Sequence, residues 1–276
     1  MIKIVVCVKQ VPEVTDVQVD PQSGTLIREG VQSILNPFCE YALDQAARMA
    51  QKHSGVEVIA ITMGPPQADA ALLRCLELGA DRGILVTDHK FAGADTWATA
   101  YTLAEVIRCV VPDFNLILTG KQAIDGDTAQ VGPELAEILG LPQITYGMQV
   151  SLGESGRHVR VKREVEKGYE VIEAALPALV TVSKGEMMRR APSLKDVIAA
   201  RSKPIETVRA DDLQLPEDTL GLKGSYTQVV KVFPPPVKGT SRIIQNLEPA
   251  DAAREIFNYL KEKHFLDHLQ PNRGDS

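Results

Sequence analysis

The sequence has no excess of positive charge: over 276 residues its formal net charge is -6. A protein working chiefly on DNA or RNA needs a basic field to hold phosphates, and this chain has none, so nucleic acid is excluded as a principal partner. The basic piece Arg160, Lys162 and Arg163 is interleaved with acids and reads as a solvated strand face. Long apolar runs are missing too, and nothing approaches the roughly 20 residues of a membrane helix. Met1–Val8 is too short for a signal peptide, and Lys3 interrupts it. The expectation is a cytoplasmic chain, or one of a mitochondrial matrix after processing, with no insertion into a membrane.

Thiols are few and scattered. Cys7, Cys39, Cys75 and Cys109 lie far apart with no CxxC pair. An iron–sulfur or zinc site wants clustered thiolates, so buried reduced cysteines are expected instead. His264 and His268 share a helix face at i, i+4, but no Glu or Cys completes a metal set, and no metal site is expected. Standard fingerprints are also lacking. There is no GxGxxG after the first strand, no GxxxxGK[ST] and no GxSxG. Ser183-Lys184 is an isolated dipeptide. No nucleophile–base set is recognisable, so no catalytic residue is assigned.

What the chain does have is alternation of strand and helix. Ile2–Val8 is a continuous apolar run, as for a strand covered on both faces. VDPQSGTLI reads as a hairpin turn. Asn36-Pro37 opens a helix, with Asn suited to cap the free amides and Pro to the first helical position. Strands are expected at 56–62, 83–86 and 115–118, and helices at 67–78, 95–110 and 128–139. This order predicts a parallel sheet with helices on both faces. Three segments, 144–152, 158–165 and 169–175, alternate apolar and polar and read as added antiparallel strands. A buried strand follows at 178–183. Beyond it regularity falls, with Pro-Pro-Pro at 234–236 and a last helix at 250–263. The fold class is therefore α/β, a parallel-sheet, Rossmann-like nucleotide-binding domain over 1–200. An extended C-terminal arm over 201–276 lacks its own core and is expected to lie on a partner.

Ligands of open parallel sheets sit beyond the carboxyl ends of strands where strand order reverses. Two segments stand there, Cys7–Lys9 after the first strand and Gly120–Val131 after the fourth. Gly120 and Gly126 let the second bend and approach a ligand. Asp127 or Thr128 can cap the following helix and leave amides facing a phosphate. Asp125 and Asp127 would turn inward onto backbone amides, since a carboxylate facing a phosphate is repelled. A plain capped helix has the same composition. Taken alone, the residues lead as far as a nucleotide-binding α/β protein.

Longer motifs go further. NPFCE at 36–40, MGPP at 63–66, LELGADRGI at 76–84 and GKQAIDGDTAQVGPELAEILGLPQ at 120–143 resemble the beta subunit of electron transfer flavoproteins. The resemblance runs from IVVCVKQVP at the start into the arm. It implies a heterodimer with an alpha subunit that holds most contacts to a mobile FAD. It also implies a second nucleotide in this chain, either AMP in a structural role or, in electron-bifurcating members, a second FAD that accepts electrons from NADH. Carried over by position, the nucleotide contacts fall on Cys7, on Asn36, Pro37, Phe38 and Cys39, and on Met63. They continue on Gly120, Lys121, Gln122, Ala123, Ile124, Asp125, Gly126, Asp127, Thr128, Ala129, Gln130 and Val131. Met63 stands where AMP-binding members often have Cys.

FAGADTWAT at 91–99 and DGDTAQVGP at 125–133 resemble the bifurcating group. Asp95, Thr96 and Thr99 would then supply polar groups to a flavin ring, although Asp95 could simply cap a helix and Thr99 face the core. KGEMMRRAPSLKDVIAA at 184–200 resembles the family's recognition loop, with Leu194 as the anchor on a dehydrogenase and Arg189, Arg190 and Lys195 as a polar rim. The implied function is electron transfer among NADH, a low-potential acceptor such as ferredoxin or flavodoxin, and an acyl-CoA-type dehydrogenase. The alternative is a conventional carrier with AMP, moving electrons from dehydrogenases to a quinone reductase. A nucleotide-binding sensor without redox chemistry is a third possibility, disfavoured by the recognition-loop segment and the arm.

Overall fold

The computed structural model describes residues 1–13, 33–185, 191–230 and 245–266. The chain divides into two units, 1–232 and 233–276. The first opens with β1 (Ile2–Val8). β2 (Gln10–Pro12) and β3 (Ser33–Leu35) pair antiparallel as a small sheet of their own. The expected hairpin turn at 19–27 lies outside the described residues. Then come α1 (Pro37–Lys52), β4 (Val56–Met63), α2 (Asp69–Leu78), β5 (Arg82–Val86), α3 (Thr96–Val110), β6 (Leu116–Gly120) and α4 (Val131–Leu139). β7 (Gln143–Leu152), β8 (His158–Val165), β9 (Gly168–Ala175) and β10 (Ala178–Val182) follow. After them lie α5 (Leu194–Ala200), β11 (Ile205–Val208) and α6 (Ala210–Leu213).

The α/β class expected from the alternation is what is observed. Nine strands form one sheet in the order β11-β5-β4-β1-β6-β10-β7-β8-β9. β1 is central and parallel to both neighbours, with Ile4 opposite Val58 on one side and Leu116 on the other. Its side chains alternate between two cores. Ile4 and Val6 join Leu43, Ala46, Leu72 and Leu76 from α1 and α2. Val5 and Cys7 join Leu103, Ile107, Leu135 and Ala136 from α3 and α4. Apolar residues on both faces of one strand explain the unbroken run in the sequence. Each fully buried Leu or Ile contributes about 1.5–3 kcal/mol relative to exposure.

The expectation of three antiparallel strands holds for β8 and β9 and needs correction at β7. β7 is antiparallel to β8 but parallel to β10, so it joins the two parts of the sheet. The register shifts at Gly147, where a Cβ would meet Val161 Cγ1 at 2.9 Å and Val180 Cγ1 at 3.0 Å. β11 was not visible in the sequence. It adds to the sheet edge in parallel to β5, and only Val208 of its residues is buried, so no apolar pattern marks it.

In the second unit the described element is α7 (Pro249–Glu262). Of the features expected beyond residue 185, Arg189, Arg190, the Pro234–Pro236 run and His268 lie outside the described residues.

Candidate functional site

The chain steps from β1 to β4 and β5 on one side, then returns through α3 to β6 on the other side of β1. The reversal places the carboxyl ends of β1 and β6 side by side, which is where open parallel sheets take ligands. Cys7 pairs with Thr119 across that junction. Three segments meet beyond it: Val8–Lys9, the start of α1, and the loop 121–130.

The start of α1 is fastened to that loop. Asn36 is buried and makes no side-chain cap, contrary to the capping expected of it. Its Nδ2 donates to Gln122 O at 2.9 Å and its Oδ1 accepts from Ile124 N at 3.2 Å. A side-chain amide offers both donor and acceptor, so one residue can hold two backbone groups of a loop. Nδ2 also lies 3.2 Å from Cys39 Sγ. Pro37 fills the first helical position, where no amide is needed. Gly120 has a reason for lacking a side chain: a Cβ would lie 2.9 Å from Cys39 N and from Phe38 C. The space beside Gly120 is thus taken by the chain itself, whereas beside Gly126 nothing lies within 4 Å.

The loop carboxylates are tied differently from expectation. Asp125 does not bind backbone amides; both its oxygens accept from Lys9 Nζ at 2.8 Å. Asp127 accepts from Gln122 Nε2 at 2.7 Å. The Lys121 ammonium stands 4.9 Å from the Phe38 ring centre and 5.8 Å from that of Tyr146. Lys9 belongs to the Cys7–Lys9 segment expected at the site, but only the fold brings it to Asp125; Tyr146 was not singled out from the sequence.

The helix after the loop begins at Val131, three residues later than expected, and its N-cap Gln130 gives no side-chain hydrogen bond. Asp127 and Ala129 are left-handed, with φ of 52° and 55°, on either side of Thr128. Such alternation turns successive amides into an anion-binding concavity. Among the described residues, the amides of Thr128, Ala129, Gln130, Val131 and Gly132 donate to no protein acceptor. Pro133 brings no amide at all. The donors therefore suit a phosphate or diphosphate, and the two loop carboxylates are engaged elsewhere.

At the start of α3, Asp95 does cap: its Oδ1 accepts from Ala98 N at 3.0 Å. Its Oδ2 accepts from Thr227 N at 2.9 Å and Thr227 Oγ1 at 3.0 Å. Burial raises the Asp95 pKa, but these hydrogen bonds outweigh it and hold the carboxyl below its usual range. Thr96 Oγ1 donates to Glu134 Oε1 on α4 at 3.1 Å. Thr99, a turn into α3, is half-buried. Met63, at the end of β4, packs on the α3-side core.

Cys7 and Cys39 are buried, and burial pushes the Cys7 thiol up to about 12, with Cys39 adding to the shift. Burial likewise raises Cys39. Neither is a thiolate near neutrality, so neither is a nucleophile. Leu194 opens α5 and is 76% exposed; Ser193 and Asp196 close a capping box beneath it. Ile198, one turn on, is 64% exposed, and the sequence reading did not single it out.

The doubly wound sheet with its crevice at the strand reversal defines an α/β protein of the nucleotide-binding type of architecture. Its family is given by comparison. The electron transfer flavoprotein domain matches residues 23–213. The chain is 44% identical over 264 residues to the caffeyl-CoA reductase-Etf complex subunit CarD of Acetobacterium woodii, covering 96% of this chain and 100% of that one. It is 43% identical to the electron transfer flavoprotein subunit beta of Clostridium acetobutylicum, over 95% of this chain and 99% of the relative. Protein FixA of Azorhizobium caulinodans is 40% identical over 92% of this chain and 93% of its own length. This chain belongs to the electron transfer flavoprotein family, as a beta subunit.

Proposed function

We propose that this subunit binds FAD in the crevice between β1 and β6 and, with an alpha subunit, divides the electrons of NADH between two acceptors. The acceptors are a low-potential carrier such as ferredoxin or flavodoxin and an acyl-CoA-type dehydrogenase. The observation that carries the nucleotide reading is the run of unpaired amides at 128–132, framed by left-handed Asp127 and Ala129. Those donors receive the diphosphate, and Lys9 keeps the Asp125 carboxylate from facing it. The adenosine lies between Cys7 and the Gly120 loop, with Asn36, Pro37, Phe38 and Cys39 fixing that loop from α1 and Met63 beside it. The flavin ring extends toward 91–99, where Thr99 offers a hydroxyl and Thr96 keeps its own on Glu134.

When bound, FAD supplies the chemistry of accepting an electron pair and releasing electrons singly. The chain's own part is placement: it holds the loop, orients the phosphates and keeps its thiols protonated. The relative CarD is a subunit of a caffeyl-CoA reductase-Etf complex, which supports docking of this subunit on a dehydrogenase through Leu194. Residues of the arm then cover the alpha subunit.

One observation favours a conventional subunit with structural AMP. Asp95 and Thr96 already spend their polar atoms inside the chain, on Ala98, Thr227 and Glu134. Acid extraction of the purified heterodimer and chromatography separate the readings. Two FAD with little AMP, and flavin reduction by NADH, are expected. One FAD and one AMP per heterodimer, without reduction by NADH, would establish the AMP reading.

A further inference from the structure

Glu134 has a role that neither the sequence motifs nor the fold requires. It stands in the first turn of α4, beside the start of α3. Its Oε1 accepts the Thr96 hydroxyl, while Oε2 is buried with no hydrogen-bond partner. Among the described residues no cation pairs with it. A buried carboxylate oxygen without a donor is costly, and structures tolerate one where a missing proton or ligand completes it.

The surroundings leave little else to neutralise it. At the N-cap of α3, Asp95 is a second carboxylate one residue from Thr96, while Arg108 at the far end of the helix pairs with Glu105. On α4 the next acid, Glu137, is exposed. From the sheet, β6 and β10 offer the hydroxyls of Thr119 and Thr181, and β7 offers Tyr146, whose ring lies by Lys121. In the loop, Lys121 lies on aromatic rings, Asp125 is paired with Lys9, and Asp127 with Gln122.

We propose that Glu134 makes nucleotide binding proton-linked: as the diphosphate settles on the amides of 128–132, Glu134 Oε2 takes one proton from solvent. This rests on the FAD reading above. The anion arrives beside a carboxylate that Asp95 already opposes, so the neutral acid is favoured in the complex. Protonation removes the uncompensated charge from the buried oxygen, which no donor of the chain relieves. Burial and Asp95 raise the Glu134 pKa before any ligand arrives, against the lowering hydrogen bond from Thr96, so the bound form starts from an elevated value.

The sign follows from linkage. Binding that raises a group's pKa is strongest below the free value, weakens up to about tenfold per pH unit between free and bound values, and is flat above both. FAD suits as the probe, because its diphosphate is a diester that does not titrate in this range. The heterodimer, depleted of the nucleotide in this chain, is titrated with FAD by calorimetry in buffers of different ionisation enthalpy. The wild type is expected to take up close to one proton per FAD within the window, and E134Q none, with FAD still bound. T96V removes the hydrogen bond that favours the anion and shifts the window to higher pH, an effect that mere loss of structure does not produce. Equal uptake in wild type and E134Q, or none in the wild type, overturns the proposal while leaving the flavin reading intact. Failure of FAD to bind this chain overturns both.

Discussion

At the scale of single residues, Asn36 shows how one side chain organises a site. Its amide holds Gln122 O and Ile124 N, so the loop that presents the unpaired amides is shaped from α1. Asn36→Ala leaves those backbone groups without partners inside the fold, at a cost of about 1–3 kcal/mol. The expected outcome is a lower Tm and loss of bound nucleotide on gel filtration, with secondary structure kept in circular dichroism. Asp95 permits a test by acid. Its folded pKa lies below the ordinary carboxylate value of about 3.9, so its contribution is present above that value and is lost as pH falls through the lower, folded one. Protection from hydrogen exchange at 95–99 and 225–227, taken relative to the intrinsic rate at each pH, should therefore fall together on acidification below about pH 4, and D95N should remove that pH dependence.

At the scale of elements, α5 is a short helix that turns two apolar side chains outward. Leu194 and Ile198 are four residues apart, hence on one helix face, and both are largely exposed. The capping box at Ser193 holds the first turn, so the pair is presented rigidly. Leu194→Ala is expected to weaken binding to the partner dehydrogenase by roughly 2 kcal/mol or more, as for an anchor in a pocket. Ile198→Ala should add a smaller loss. Surface plasmon resonance measures both, and flavin content should stay unchanged; retained affinity in the double variant would remove the docking role from α5. The sheet edge at β11 and the parallel β7 belong to this scale too. Neither was legible in the sequence, because a half-exposed edge strand has little apolar patterning and strand direction is set by what lies next to it.

For the whole molecule, the two units differ in how much they bury. Unit 1 has cores on both faces of its sheet, whereas α7 has no buried residue and exposes Ile256, Phe257 and Tyr259. A helix with an apolar face open to water is expected to be covered in the working assembly. Made alone, the chain should be poorly soluble or should self-associate; made with an alpha subunit, it should be soluble. Amides of α7 should exchange quickly in the isolated chain and become protected in the heterodimer. Slow exchange in a monodisperse isolated chain would contradict this.

The sequence by itself determined the alternation of β1, β4, β5 and β6 with α1 to α4, though not the short β2 and β3, together with the two-sided burial of β1 and β10 and the family. These are local or cumulative properties: a continuous apolar run, a helical period, and long motifs each show along the chain. Only the tertiary structure decided what individual polar groups do. Asn36 reads as a cap, yet it bonds a loop 86 residues away. Asp125 reads as a backbone binder, yet it meets Lys9 across 116 residues. Glu134 was not singled out from the sequence, and its buried, unpartnered oxygen and its bond to Thr96 of α3 show only in the fold. A polar side chain satisfies whichever group the fold brings within about 3 Å, and sequence distance carries no information about that.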